Sequence, residues 1–130
     1  MSQPICRVLV ADDDPTVALL MPIALDPSEF SVVVVDNGLD ALAEFKRTPC
    51  DIVLLDVEMP GMDGFAVCAA IRQSRGRDFP VVLVSGHRDP ESIARAEQLN
   101  ASYIAKPVNW QLISAQLKAL LAQPRPAARS

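Results

Sequence analysis

The sequence predicts an α/β domain: a parallel sheet of five strands with helices on both faces. Three observations carry that prediction. Short apolar runs recur along the chain, and each is followed by a segment whose apolar residues have helical spacing. The runs lack the polar alternation of a half-exposed strand, as expected for strands buried on both sides. Side chains suited to chemistry stand where the runs stop: Asp12 and Asp13, Asp56, Ser85 and Lys106.

The first run is Arg7–Ala11, followed by Asp12, Asp13 and Asp14 and then Pro15. Asp14 before Pro15 predicts a helix start, with the acid as cap and proline at the first helical position. Val17, Leu20, Met21 and Ala24 fall on one face of that helix. Pro22 lies inside it and predicts either a kink or an early end. Ser31–Val35 is a second strand, Asp36-Asn37-Gly38 a turn, and Ala41, Leu42 and Phe45 the inner face of a second helix stopped by Pro49.

Ile52–Leu55 is the third strand. It ends at Asp56, because Met59-Pro60-Gly61 cannot prolong it. Asp63-Gly64 opens a third helix with Phe65, Cys68 and Ile71 inward, broken at Gly76. Val81–Val84 leads to Ser85-Gly86. Asp89-Pro90 repeats the capped start for a fourth helix, with Ile93, Ala96 and Leu99 expected inward. Ser102–Ala105 ends at Lys106-Pro107, and Ile113, Leu117, Leu120 and Leu121 predict a fifth helix. The segment 123–130 has two prolines, two arginines and no apolar periodicity, and reads as a tail or linker.

Composition narrows the function. With 130 residues, half of them apolar, the chain can bury one core. A net charge of −4 and the lack of a Lys/Arg run argue against direct nucleic-acid binding. No apolar run is long enough to span a membrane, and the first residues lack a signal-peptide run. Cys6, Cys50 and Cys68 are odd in number and lack metal spacing. They read as reduced, mostly buried thiols of a cytoplasmic protein.

Five strands alternating with five helices fit the flavodoxin-like order 2-1-3-4-5, which makes strands one and three neighbours. Asp12, Asp13 and Asp56 should then meet at one crevice. Clustered carboxylates repel unless a cation neutralises them, and an all-oxygen site suits Mg2+. Ser85 and Lys106 end the next two strands on the same rim. A metal, an ammonium and a hydroxyl around one carboxylate suit phosphoryl transfer to that carboxylate.

Four segments in this order, VLVADDD, DIVLLDVEMPGMDG, VVLVSG and YIAKP, resemble the receiver domain of two-component response regulators. The resemblance covers roughly residues 5–122 and sets the domain at 1–122. It implies Asp56 as phospho-acceptor and Asp13 as the main Mg2+ ligand, with Asp12 assisting and Glu58 giving its backbone carbonyl. Ser85 and Lys106 would hold phosphoryl oxygens, with Lys106–Pro107 in the cis form. Ser85 and Tyr103 would form the switch. Glu58 and His87 would tune dephosphorylation.

The implied partner is a sensor histidine kinase or a phosphotransfer protein. The implied output surface is the fourth helix, fifth strand and fifth helix, which could also support a homodimer. The Lys-Pro-Val-Asn-Trp stretch at 106–110 resembles receivers joined to cyclic-di-GMP enzymes, and suggests that kind of output. Three rivals remain. An Asp-nucleophile, Mg2+-dependent phosphatase would carry a second Asp two residues after the first, where this chain has Glu58. A phosphorylation-independent binding module would usually lack one of the acids or the lysine. A flavin carrier would need a phosphate-binding loop where this chain has three acids.

Overall fold

The computed structural model describes residues 5–122. Its elements are β1 (Cys6–Ala11), α1 (Pro15–Ala24), β2 (Phe30–Val35), α2 (Gly38–Arg47), β3 (Ile52–Asp56), α3 (Gly64–Arg75), β4 (Val81–Ser85), α4 (Pro90–Gln98), β5 (Ser102–Ala105) and α5 (Ile113–Ala122). The five strands form one parallel sheet in the order β2-β1-β3-β4-β5, a flavodoxin-like fold as the sequence predicted.

Every residue of β3 and β4 is buried, which explains their lack of polar alternation. Successive side chains still point to opposite faces. Leu9, Val53, Leu55 and Leu83 pack with Ala41, Phe45, Phe65, Ile71 and Ala96 from α2, α3 and α4. Val8, Val10, Ile52, Leu54 and Val82 pack with Val17, Met21, Ile113 and Leu117 from α1 and α5. Burying one such aliphatic side chain contributes about 2 kcal/mol, so the two layers supply most of the stability.

The helices start where the caps predict. Asp14 accepts from the Thr16 N–H, Asn37 from Asp40, Asp63 from Ala66 and Asp89 from Ser92, at 2.8–3.0 Å. Pro22 does not stop α1, which runs on to Ala24 and closes with the Leu25 N–H on the Met21 carbonyl at 3.1 Å. Leu25, just past that end, is fully buried, a core position the sequence reading missed.

Two expectations need correction. Ile93 was expected inward but is 40% exposed. Ala96 is the single fully buried residue of α4, and so narrow a contact leaves the residue one turn earlier at the margin. Cys6 and Cys50 are only half-buried, whereas Cys68 is buried. Burial first, and the nearby Asp51 charge second, push both half-buried thiols up to about 11, which makes them poor nucleophiles. The segment 123–130 lies outside the described residues.

Candidate functional site

Strand register brings the site together. Ala11 lies opposite Leu55, so Asp12 and Asp56 leave neighbouring strands side by side. Asp56 pairs with Val84 and Ser85 with Ala105, which places Ser85 and then Lys106 along the same rim. The Lys106 N–H donates to the Ser85 carbonyl at 2.8 Å, and the Lys106–Pro107 bond is cis. α3 must start close by. A Cβ on Gly64 would meet the Asp56 carbonyl at 2.5 Å, so only glycine lets the helix begin there.

Lys106 Nζ lies 3.0 Å from Asp12 Oδ2 and 3.4 Å from Asp56 Oδ2. The other oxygen of each carboxylate accepts a backbone N–H. Asp14 donates to Asp12 Oδ1 at 2.9 Å, and Glu58 to Asp56 Oδ1 at 3.3 Å. Asp12 and Asp56 are buried, at 4% and 6% exposure, whereas Asp13 is exposed at the mouth. Oxygens of Asp12, Asp13 and Asp56 all lie within 4.8 Å of one another. Three carboxylates converging on one point, all offering oxygen, form a donor set that suits Mg2+.

Three carboxylates against one ammonium leave the site under strain of like charge. Burial first and the Asp12 charge second push Asp56 up to about 6, against the pull of Lys106 and the Glu58 N–H. For Lys106, burial works against its charge. The hydrogen bond and charge of Asp12, then Asp56, outweigh it and hold the ammonium above its ordinary value.

Ser85 is fully buried at 1% exposure, and its Oγ accepts the His87 N–H at 3.0 Å. His87 makes two further contacts. Its Nε2 lies 2.9 Å from Glu58 Oε1, and its carbonyl accepts the Tyr103 hydroxyl. Glu58, Ser85, His87 and Tyr103 therefore meet in one loop beside Asp56. The sequence named all four, but gave no sign that His87 joins the other three.

The sequence profile of the response regulator receiver domain matches residues 8–118. The chain belongs to this family. The receiver is 33% identical over 116 residues to the DNA-binding response regulator MtrA of Mycolicibacterium smegmatis, covering 88% of this chain and 50% of that protein. It is 37% identical over 108 residues to the sensor histidine kinase GacS of Pseudomonas protegens, covering 79% of this chain and 12% of that one. The chain thus spans half or less of these two curated relatives. Among solved structures it resembles the chemotaxis protein CheY4 of Vibrio cholerae, with a TM-score of 0.82 and 25% identity over 90% of this chain and 99% of that one. As a family, receivers act as signalling switches of two-component systems, interact with sensor histidine kinases and typically bind Mg2+ at an acidic pocket.

Sequence reasoning missed Arg72. Its guanidinium reaches the carbonyls of Leu99, Gly76, Phe79 and Asn100 at 2.6–3.1 Å. Partners that are backbone carbonyls up to 28 residues away leave no mark in a motif.

Proposed function

We propose that this receiver takes a phosphoryl group from a partner phosphohistidine onto Asp56, with Mg2+ at Asp12, Asp13 and Asp56, and later loses it to water. The carrying observation is the convergence of Asp12, Asp13, Asp56 and Lys106 at one rim, with carboxylate oxygens within 4.8 Å. A carboxylate oxygen of Asp56 attacks phosphorus while the phosphorus–nitrogen bond to the donor imidazole breaks, and the freed imidazole takes a proton from solvent. When bound, Mg2+ supplies neutralisation of the charge on the phosphoryl oxygens. Lys106 is placed to hold a second phosphoryl oxygen. Asp56 is mostly ionised at neutral pH despite its raised pKa, so the nucleophile is available. The Ser85 hydroxyl is placed to turn toward a phosphoryl group, giving up the His87 N–H, and Tyr103 carries that change to the surface. The Glu58 backbone carbonyl is the fourth protein ligand in this reading.

In this reading the receiver unit is 1–122, with 123–130 a tail or linker. The Lys-Pro-Val-Asn-Trp stretch remains the only support for a cyclic-di-GMP output. Trp110 is half-buried against the core layer of α1 and α5, which accounts for it without any output partner. The phosphatase alternative keeps Asp56 as nucleophile but needs a general acid, and Glu58 points its carboxylate at His87 instead. Acetyl phosphate with Mg2+ tests the proposal. One phosphoryl group per wild-type chain and none on Asp56→Asn is expected. Equal uptake by both would refute it, and steady release of phosphate from simple monoesters would favour the phosphatase.

A further inference from the structure

The two edges of the sheet are finished differently. β5 is four residues long and runs straight into Lys106 and Pro107, a charge and a residue without an N–H. Both features discourage pairing with another strand. β2, at the opposite edge, is one phenylalanine, one serine and four successive valines, with neither charge nor proline. Every residue of it except Phe30 is at least partly exposed, and Val33 is 42% exposed.

The free side of β2 has a definite pattern. Alternate residues of a strand turn their N–H and C=O to the same neighbour. The Glu29 carbonyl accepts from the Cys6 N–H at 2.9 Å and the Val35 carbonyl from the Asp12 N–H at 3.0 Å, so residues 29, 31, 33 and 35 turn toward β1. Val32 and Val34 turn theirs away from the sheet, where no strand among the described residues pairs with them. The Val33 side chain, between them, lines an apolar hollow with Leu9, Pro49 and Cys50.

The helix over this edge has the same character. α1 packs on Val32 and Val34, and among the described helices it alone has no charged side chain. Pro15 and Ala18 line a second hollow with Val34 and Val35, so this flank of α1 looks out over the strand edge. Pro22 lies one turn beyond Ala18 on the same flank, and Leu19 beside it is 66% exposed. A helix that is apolar on its outer side as well as its inner one is ordinarily covered.

We propose that β2 and α1 together form the contact between two copies of this chain, with the two β2 strands antiparallel about a twofold axis at Val33. In that register the free groups meet each other. Val32 of each copy faces Val34 of the other, and each such pair exchanges both its N–H···O bonds. A twofold at Val34 would set Val32 against the Asp36 turn. One at Val32 would need the Phe30 N–H, which already donates to the Asp26 carbonyl at 2.8 Å. With the axis at Val33, the two Val33 side chains meet on it, and the two α1 helices lie antiparallel on one face of a continuous sheet. Charge favours the same arrangement. The carboxyl end of the edge carries Asp36 and Asp40, and the twofold sets it against the amino end, where Lys118 holds Glu29 at 2.6 Å. The strand is about 20 Å long and the helix flank about 10 Å, a small contact, so the dimer should be weak, with a dissociation constant on the order of 0.1 mM. This contact is independent of the phosphoacceptor reading of Asp56.

Sedimentation of the whole chain from about 10 µM to about 1 mM, paired with backbone amide exchange at both ends of that range, tests it. Wild type should pass from monomer to dimer, and the Val32 and Val34 amides should exchange about fourfold more slowly at the high concentration. Val33→Lys sets two ammonium groups at the axis and should weaken association about tenfold or more. Val33→Thr keeps the shape without a charge and should hold it within about threefold. Leu19→Glu should weaken it about threefold or more, and Ile93→Lys, on α4, should leave it unchanged. Wild type that stays monomeric at about 1 mM, or a dimer that Val33→Lys leaves intact, would overturn the proposal. So would a dimer formed without slowing at Val32 and Val34, or one lost in Ile93→Lys, which would place the contact on α4 instead.

Discussion

Charge is drawn inward at both ends of the sheet, buried at Asp12 and Asp56 and half-buried at Arg72, and it is treated in opposite ways. At the carboxyl end, Asp12 and Asp56 share one Lys106 with Asp13 close by, so negative charge exceeds positive. At the amino end, the Arg72 guanidinium meets four neutral carbonyls. The second arrangement is satisfied and serves the fold. The first is left short of positive charge, and that shortage is what a divalent cation can fill. Inward charge marks function here where like charges are left crowded together, not where hydrogen bonds satisfy a single charge.

Substitutions at the two ends should therefore differ in kind. The largest effect expected is complete loss of phosphoryl uptake in Asp56→Asn, read by intact mass after acetyl phosphate treatment. Next comes Arg72→Met. It leaves several carbonyls without their donor and should lower stability by about 3 kcal/mol in urea unfolding, with phosphoryl uptake retained in the folded fraction. If Arg72→Met instead abolished uptake without loss of stability, the contrast between the ends would be broken.

The Asp56→Asn variant also tests the charge shortage directly. With the Asp56 pKa at about 6 in the folded state, against 3.8 ordinarily, the folded protein takes up its proton first. Wild type is thus penalised at neutral pH and recovers as pH falls from about 6 toward 4. In metal-free buffer, Asp56→Asn should be the more stable at pH 7, by on the order of 2 kcal/mol. That advantage should shrink toward zero near pH 4, as paired urea titrations would reveal. An advantage that grew on acidification would contradict the assignment.

Asp13→Ala should raise the melting temperature by at most about a few degrees without metal, and should lose most of the Mg2+-dependent rise. An unchanged rise would remove Asp13 from the metal site. The smallest effect is expected for Ile93→Ser. This side chain is 40% exposed on the lightly held helix, so its loss should cost less than about 0.5 kcal/mol.

Much of this was legible in the sequence, for local reasons. Asp14-Pro15, Asp63-Gly64 and Asp89-Pro90 announce helix starts through capping chemistry confined to a few neighbouring residues. Ile52–Leu55 announces a buried strand by composition, and the chain order of strands then brings Asp12, Asp13 and Asp56 together. What escaped depends on tertiary contacts. Ile93 fits a helical stripe, yet the stripe is wider than the contact α4 makes. Leu25 is the cap residue just past the end of α1, outside the helical stripe that Val17, Met21 and Ala24 define. Arg72 and the meeting of Glu58 with His87 join segments 27 to 29 residues apart through backbone atoms or loop side chains, which no period encodes.

The central claim is that the carboxyl-end charge shortage is a metal-dependent phosphoryl acceptor centred on Asp56. Peptide mapping of wild-type protein after acetyl phosphate treatment, with Mg2+ or with a chelator, tests it most directly. The account predicts a single adduct on Asp56 with Mg2+ and none with the chelator. An adduct on another residue, or equal labelling of Asp56 without metal, would contradict it.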